Sequence, residues 1–392
     1  MNGALSRVHW DSVRKRSLVV GLVALTLCVA GAFISPEQFF PSYLPAYVFW
    51  IGIPLGSWAI LMLHHLVGGR WGFVIQRVLE AVIQTLPLMA LLFVPVLFGL
   101  AYLYPWARPD VVAADPVLQE KSRYLNVPFF IARAVLYFGI WIIVGRLLTQ
   151  WSLEQDRAAD PTLTQRLQRL SGPGLVLYGL TVTFSVIDWL MSLEPRWYST
   201  IYGMIFMVSY SLAAMAFVII VAHLIEEETP LAKVISSSHF HDLGNLLLAL
   251  VMFWAYMHFS QFLLIWVENL AEEIPWYLRR IHGGWEWFAL ALVLFQFALP
   301  FLLLLSRTAK RRARTLCWLA AGILFMHWID IFWMAAPAFY PGGFHLHWMD
   351  ILAPIGIGGI WLATFLHYLN GRSLLPLHDP RFAEILEGAQ KA

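Results

Sequence analysis

The sequence predicts an all-α polytopic membrane protein of about ten transmembrane helices, with helices 2–5 and 6–9 forming two similar four-helix bundles flanked by helices 1 and 10. Three observations predict it. Sixty per cent of the residues are hydrophobic and 13% are charged, where soluble domains carry about 25% charged residues. Apolar runs of about 20 residues, the length that crosses a bilayer, recur along the whole chain. Finally, the segment Ile187-Asp188-Trp189-Leu190-Met191-Ser192-Leu193-Glu194-Pro195-Arg196-Trp197-Tyr198 is echoed 142 residues later at 329–340, with Ile, Asp, Pro and Tyr at identical offsets. Both copies set a carboxylate in an apolar helix and then break that helix with a proline.

Taken in order, the spans fall near 17–34, 44–66, 80–103, 125–149, 172–193, 198–225, 241–266, 284–306, 314–335 and 348–370. This divides the chain into an N-terminus with a first anchor helix (1–43), a first bundle (44–197), a second bundle (198–340) and a last span with its tail (341–392). Ala30-Gly31-Ala32 resembles a signal-peptide cleavage site, but the preceding apolar core is about twice a typical h-region, which favours an uncleaved anchor. Lys and Arg set the orientation. With the N-terminus cytoplasmic, inner segments hold 19 basic residues and outer loops six, so both termini are expected in the cytoplasm. The outer loops 104–124 and 267–283 are candidate docking surfaces for a peripheral subunit. The polar inner segment 150–170 reads as a short surface helix, and the tail 371–392, with Pro376 and Pro380, as a cytoplasmic extension.

The repeat reaches beyond the two Asp segments. Helix 2 ends Leu63-His64-His65-Leu66 and helix 6 ends Val221-Ala222-His223-Leu224. Tyr124-Leu125-Asn126 precedes helix 4 and Tyr277-Leu278-Arg279 precedes helix 8; nine residues after each Tyr stands a charge, Arg133 in one copy and Glu286 in the other. The offsets shrink in order, 158, 153 and 142, as shorter loops in the second copy would produce. Two bundles of the same orientation, related by an axis along the membrane normal, are expected.

Ionisable side chains at bilayer depth cost about 2.5–3.5 kcal/mol on insertion scales and usually face a cavity or a partner. Here they form two layers. The outer layer holds Arg133, Asp188, Glu194, His258, Gln261, Glu268, Glu286, His327 and Asp330; the inner holds His64, His65, Glu80, Gln84, His223, His239, His241 and Asp242. Asp188 comes about 16 residues into its helix, or roughly 24 Å from the inner face. Thr181, Ser185, Asp188 and Ser192 lie on one helical face; His258, Gln261 and Glu268 share another, and His327 and Asp330 are i, i+3 neighbours. Plainer readings compete. His64 and His65 suit an interface, and His239, His241 and Glu226-Glu227-Glu228 suit solvated ends. Glu194, Glu268 and Glu286 suit the outer interface, and each buried Asp suits a structural pair with Arg or His. Most of the 19 Trp belong to interfacial belts.

A net charge of +2 offers no basis for nucleic-acid binding. Cys28 and Cys317 stand alone with no C-x-x-C or C-x-x-C-H motif, so the sequence contains no recognisable ligand set for zinc, an iron–sulfur cluster or a c-type haem. Paired axial histidines of the di-haem cytochrome b kind are also missing from every span.

Residues 63–72 (LHHLVGGRWG), Tyr104-Pro105-Trp106-Ala107, 124–130 (YLNVPFF), 188–195 (DWLMSLEP), 241–245 (HDLGN) and 256–261 (YMHFSQ) resemble the NrfD/polysulfide-reductase family of membrane subunits. More narrowly they are similar to the ActF type, the second such subunit of bacterial alternative complex III, a quinol:cytochrome c oxidoreductase. The resemblance covers nearly the whole chain. It implies a place in the bacterial cytoplasmic membrane, in a complex that oxidises menaquinol or ubiquinol and passes electrons to cytochrome c or a terminal oxidase. Implied partners are a sister NrfD-like subunit, an outer iron–sulfur subunit, multihaem and monohaem cytochrome c subunits and small membrane subunits, with haem and iron–sulfur centres held by those partners. The working quinol site is expected in the sister subunit, and the two polar layers here suit two proton half-channels. Asp188 and Asp330 would be the central carboxylates, with Arg133 and Glu286 nearby. His258, His327 and Glu268 would form the outer half-path, and His64, Glu80, His223 and Asp242 the inner one. The alternatives are a quinone site at the outer ends of helices 2–5, near Asp188, Arg133 and His258, or an inert scaffold.

Overall fold

The computed structural model describes residues 7–158, 160–228 and 237–370. Among them every regular element is helical, and ten helices are long and apolar enough to span a bilayer: α1 Trp10–Ile34, α2 Pro36–Val67, α3 Arg70–Phe98, α4 Val127–Arg157, α5 Thr162–Leu193, α6 Tyr202–Glu226, α7 Ser237–Glu268, α8 Trp285–Leu305, α9 Ala313–Ala338 and α10 Trp348–Leu369. The protein is a multi-pass, all-α membrane protein. The tail 371–392 lies outside the described residues. The end of the helices that bears segments 104–124 and 270–283 is called the upper end below.

Neighbour relations follow chain order. Helix α2 packs on α3 and α5, α4 packs on α3 and α5, and α6 to α9 likewise touch in a closed ring. The rings join along α2 and α6, the most enclosed spans. Both helices are apolar all round, as burial on every side requires. Small residues set the approach: a β-carbon on Gly56 would lie 2.0 Å from the Tyr210 carbonyl oxygen, and one on Gly52 2.4 Å from the Tyr210 ring. Helices α1 and α10 pair with each other at equally short range, with Gly21 against Gly359 and Ile360, and lean on α2. Apolar side chains of α1, α7 and α8 are left exposed along the helices, among them Val19, Val23, Tyr256, Trp266, Val293 and Leu302. That surface suits lipid or a partner helix.

Several boundaries differ from the sequence expectation, each for a local reason. Helix α2 starts at Pro36, not near 44; proline suits a first helical turn, and the helix continues through Pro41, Pro45 and Pro54. Helix α3 begins at Arg70 and bends at Thr85 and Phe93, where Pro87 and Pro95 interrupt the hydrogen-bond ladder. The expected surface helix at 150–170 is a continuation of two spans, since α4 runs to Arg157 and α5 begins at Thr162. Its polar residues bond to neighbouring helices, Ser152 to Glu80 and Gln155 to Thr164. Helix α8 widens into a π-helix over Leu292–Ala298. Such segments are rare and concentrate at functional sites.

At the upper end, short helices Pro105–Ala107, Pro109–Ala114 and Pro116–Lys121 cover the first ring, and Ile274–Arg280 covers the second. Asp115 caps the third of these by accepting from the Val117 amide, and it pairs with Arg196 at 3.0 Å. These contacts with Arg196 and the backbone hold its carboxyl below the usual carboxylate range.

Candidate functional site

The two repeated aspartates occupy comparable places near the upper ends of α5 and α9, yet their surroundings differ. Asp188 is clamped. The Arg133 guanidinium donates from Nε to Oδ2 and from Nη2 to Oδ1, both at 2.8 Å, and the Tyr137 hydroxyl donates to Oδ2 at 2.8 Å. A third guanidinium nitrogen reaches the Tyr124 carbonyl at 3.0 Å. The rings of Tyr124 and Phe129 stack on the cation, 3.9 and 4.3 Å from it. This is the bidentate, charge-assisted geometry that is strong and specific, with aromatic faces adding cation–π attraction. The hydroxyls on that face are tied into their own helix: Thr181 and Ser185 below Asp188, and Ser192 above it, each donate to a carbonyl of α5.

Asp330 has no such clamp. It is 1% exposed. Its Oδ2 accepts the Trp254 indole N–H at 2.9 Å and stands 3.7 Å from His258 Nε2, while Oδ1 has no protein hydrogen bond. Trp254 and His258, one turn apart on α7, stack with ring centres 4.3 Å apart. His327, one turn below on α9, is fully buried and neither ring nitrogen has a hydrogen-bond partner. It packs against Phe49 and Tyr210, whose ring centres lie 5.7 and 6.5 Å away. On α6, the buried Tyr210 hydroxyl has no hydrogen-bond partner, and the buried Ser209 hydroxyl lies beside the Asp330 carboxylate. Interior polar atoms are normally paired with protein or ordered water, so this group from α6, α7 and α9 is chemically unfinished by protein atoms alone.

The lower ends hold a second polar cluster. Glu80 on α3 accepts from Arg77 at 2.6 Å, from Gln76 at 3.0 Å and from the Ser152 hydroxyl of α4 at 2.6 Å. Arg77 also pairs with Asp156. His65 bonds to Ser171 at 3.1 Å. His64 packs against Trp71 and Phe73 and closely over Gly72, where a β-carbon would lie 1.9 Å from its ring. His64 and His65 are therefore interior residues. His223 lies beside Glu226 at 3.8 Å, while Asp242 is partly exposed at the lower end of α7.

Two of the expected site residues stand apart from these clusters. Glu268 is exposed at the upper terminus of α7, two turns above Gln261, which is buried on the same face and bonded to Ser199. Glu286 is exposed in the first turn of α8, where it accepts from the Gly284 amide at 2.8 Å. The charge that repeats Arg133 in the second copy is thus a helix cap, and it leaves Asp330 without a matching cation.

Cavities separate the bundles further. Beside Tyr124, Ile187 and Met191, at the upper end of α4 and α5, the space is about 180 Å³. Beside His258, between α7 and α8, a cavity of about 660 Å³ is lined by Trp254, Phe262, Tyr277, Leu292, Phe297 and other mostly apolar side chains. That is within the size range of small-molecule sites, and the π-helical turn of α8 forms one wall.

Several participants were missed in the sequence. Tyr137 stands four residues after Arg133 and so shares its face. Arg77 precedes Glu80 by three and signals an intrahelical pair. Gln296, an amide alone in an apolar run, is fully buried with neither amide atom hydrogen-bonded. Trp254 carries no signal that would separate it from the interfacial tryptophans. Among the described residues no three His, Cys, Asp or Glu side chains converge as a metal site. Compared with protein-family models and with curated proteins, the chain finds no match.

Proposed function

We propose that this chain is a membrane subunit of a quinol-oxidising electron-transport complex of the alternative complex III type, and that its own task is to carry protons through the second helix bundle by way of Asp330. The observation that carries the reading is the contrast between the two aspartates. Asp188 has a bidentate cation and a phenol on its oxygens, an arrangement that fixes structure. Asp330 has one indole N–H bonded to it, the Ser209 hydroxyl and an imidazole at 3.7 Å beside it, and no arginine or lysine paired with it. A buried carboxylate is expensive to keep ionised without a partner, whereas one beside histidines and hydroxyls can take up and pass on a proton. His258, His327, Ser209 and Tyr210 are the groups placed to exchange it, with ordered water between them.

In this reading the Glu80–Ser152 and His65–Ser171 clusters form the lower approach. The buried hydroxyls of Ser57 and Tyr210 along α2 and α6 supply stepping points toward Asp330. The resemblance supplies the setting: the bacterial cytoplasmic membrane with both termini inside, a sister NrfD-like subunit, and iron–sulfur and cytochrome c subunits on the outer side that hold the redox centres. The test is proton release per electron in vesicles holding the whole complex. Asp330→Asn should lower the ratio while quinol oxidation continues. An unchanged ratio in that variant overturns the reading.

One observation favours a second reading, in which the chain itself binds quinol. The 660 Å³ apolar cavity ends at His258, backed by Asp330, and no Lys or Arg lines it, so it suits an uncharged ring with a hydroxyl or carbonyl on an apolar tail. In this second reading the site would lie between α7 and α8, whereas the sequence pointed to the outer ends of helices 2–5. A photoreactive quinone that labels α7 or α8 supports it; label confined to other subunits rejects it.

A further inference from the structure

Above Asp330 on helix α9, one turn nearer the upper surface, the Met334 carbonyl accepts a hydrogen bond from Arg280 Nη2 at 2.8 Å. Residues four apart share a helix face about 6 Å apart along the axis, so this guanidinium sits over the Asp330 site. Arg280 is 1% exposed. It is fixed on several sides: Nη1 donates to the Trp276 carbonyl at 2.9 Å, the Trp276 ring stacks on it at 3.6 Å, and its own carbonyl accepts the Trp333 indole N–H at 3.0 Å. Its counter-charge comes from the other bundle. Glu194, just past the upper end of α5, accepts from Arg280 at 3.2 Å and from Arg279 at 2.5 Å. Trp197, in the same segment, stacks on Trp276 with ring centres 4.5 Å apart.

We infer that Arg280, held in place by Glu194, closes the Asp330 site against the upper surface, and that release of Glu194 opens it. The inference rests on the reading of Asp330 as a proton carrier and names the group that governs its upper exit. A guanidinium stays protonated and donates only, and a fixed arginine at a constriction is a barrier to protons and cations. Burial pulls Arg280 below its ordinary basicity, and Glu194 opposes that pull. Without the carboxylate, the cation would be buried and unbalanced, a state that drives it toward water. Glu194 is reachable from outside. It lines a surface recess of about 310 Å³ together with Arg196, Glu272, Arg279 and Asp115. Arg279, 48% exposed, competes for the same carboxylate. A charge change at this recess would therefore move the balance that holds Arg280. Tyr202, buried beneath Trp276 and within electrostatic reach of Glu194, Arg280 and Asp330, lies along the route that opens.

The experiment is passive proton flux into liposomes that contain the full-length protein with its co-purifying subunits, driven by a potassium diffusion potential and read by a trapped pH dye. Wild type is expected to conduct slowly and Glu194→Gln several-fold faster. Arg280→Lys, which keeps the charge but has one nitrogen where Arg280 uses Nη1 for Glu194 and Nη2 for Met334, is expected to leak as well. The double variant Glu194→Gln/Asp330→Asn should return to the wild-type rate. Flux in both single variants equal to wild type, or a leak that persists in the double variant, overturns the inference. If Asp330→Asn lowers the proton-to-electron ratio while these fluxes fail, only the closure falls. If Asp330→Asn leaves that ratio intact, the reading beneath it falls too.

Discussion

Removing either partner of the Arg133–Asp188 pair should cost far more than removing both. In Arg133→Met, the Asp188 carboxylate keeps only the Tyr137 hydroxyl, at 2.8 Å, in a site where Asp188 is 1% exposed. In Asp188→Leu, the guanidinium keeps the Tyr124 carbonyl and two aromatic faces but loses both charge-assisted bonds. Breaking a buried pair from one side costs about 3–5 kcal/mol, because a charge is left buried and uncompensated. Replacing both partners by apolar groups of similar volume is often neutral or better. The double variant should then recover most of the loss, so the coupling, which is the two single losses less the double-variant loss, should be at least as large as one single loss, about 3 kcal/mol or more. Reversible unfolding in mixed detergent micelles can measure this, followed by tryptophan fluorescence, since Trp189 and Trp141 lie within the same core. Single variants within about 0.5 kcal/mol of wild type, the scatter of ordinary surface changes, would refute the structural role. Additive losses in the double variant would refute it too.

Other expectations follow from local geometry. Gly56→Ala drives a methyl to 2.0 Å from the Tyr210 carbonyl at the α2–α6 seam. It should destabilise by about 1–3 kcal/mol as overpacking does, whereas Gly322→Ala, with nothing within 4 Å, should be neutral or stabilising in the same unfolding assay. Asp115 is held low by Arg196 and the Val117 amide, so its contribution is complete above the normal carboxylate range. It is lost as the pH falls through its depressed value. Hydrogen exchange in segment 105–121 should accelerate on that acid limb in wild type, and Asp115→Asn should flatten the dependence.

The spans were legible because lipid imposes length and apolarity directly on sequence, and the two aspartates because a carboxylate inside an apolar run is costly wherever it points. Their unequal fates were harder to read. The repeat equates Asp188 with Asp330, and only tertiary proximity shows that Arg133 reaches one of them bidentately. A hint was present: the position answering Arg133 is Glu286, so the second copy lacks that cation, and the structure puts Glu286 to work as a helix cap. The 150–170 segment misled for a related reason. Its polar side chains were assigned to water, although Ser152 and Asp156 bond to Glu80 and Arg77 across α3 and α4. The π-helical turn of α8 and the cavity beside it leave no trace in hydrophobic periodicity, because a shift of the backbone bonds from i+4 to i+5 is invisible in a run that is almost wholly apolar.

The central claim, that Asp330 and not Asp188 exchanges protons, is tested most directly by infrared difference spectroscopy of the full-length protein across a pH titration. The expected result is a titrating carboxylic-acid C=O band that vanishes in Asp330→Asn and survives in Asp188→Asn. A band that vanishes in Asp188→Asn and persists in Asp330→Asn would contradict the account.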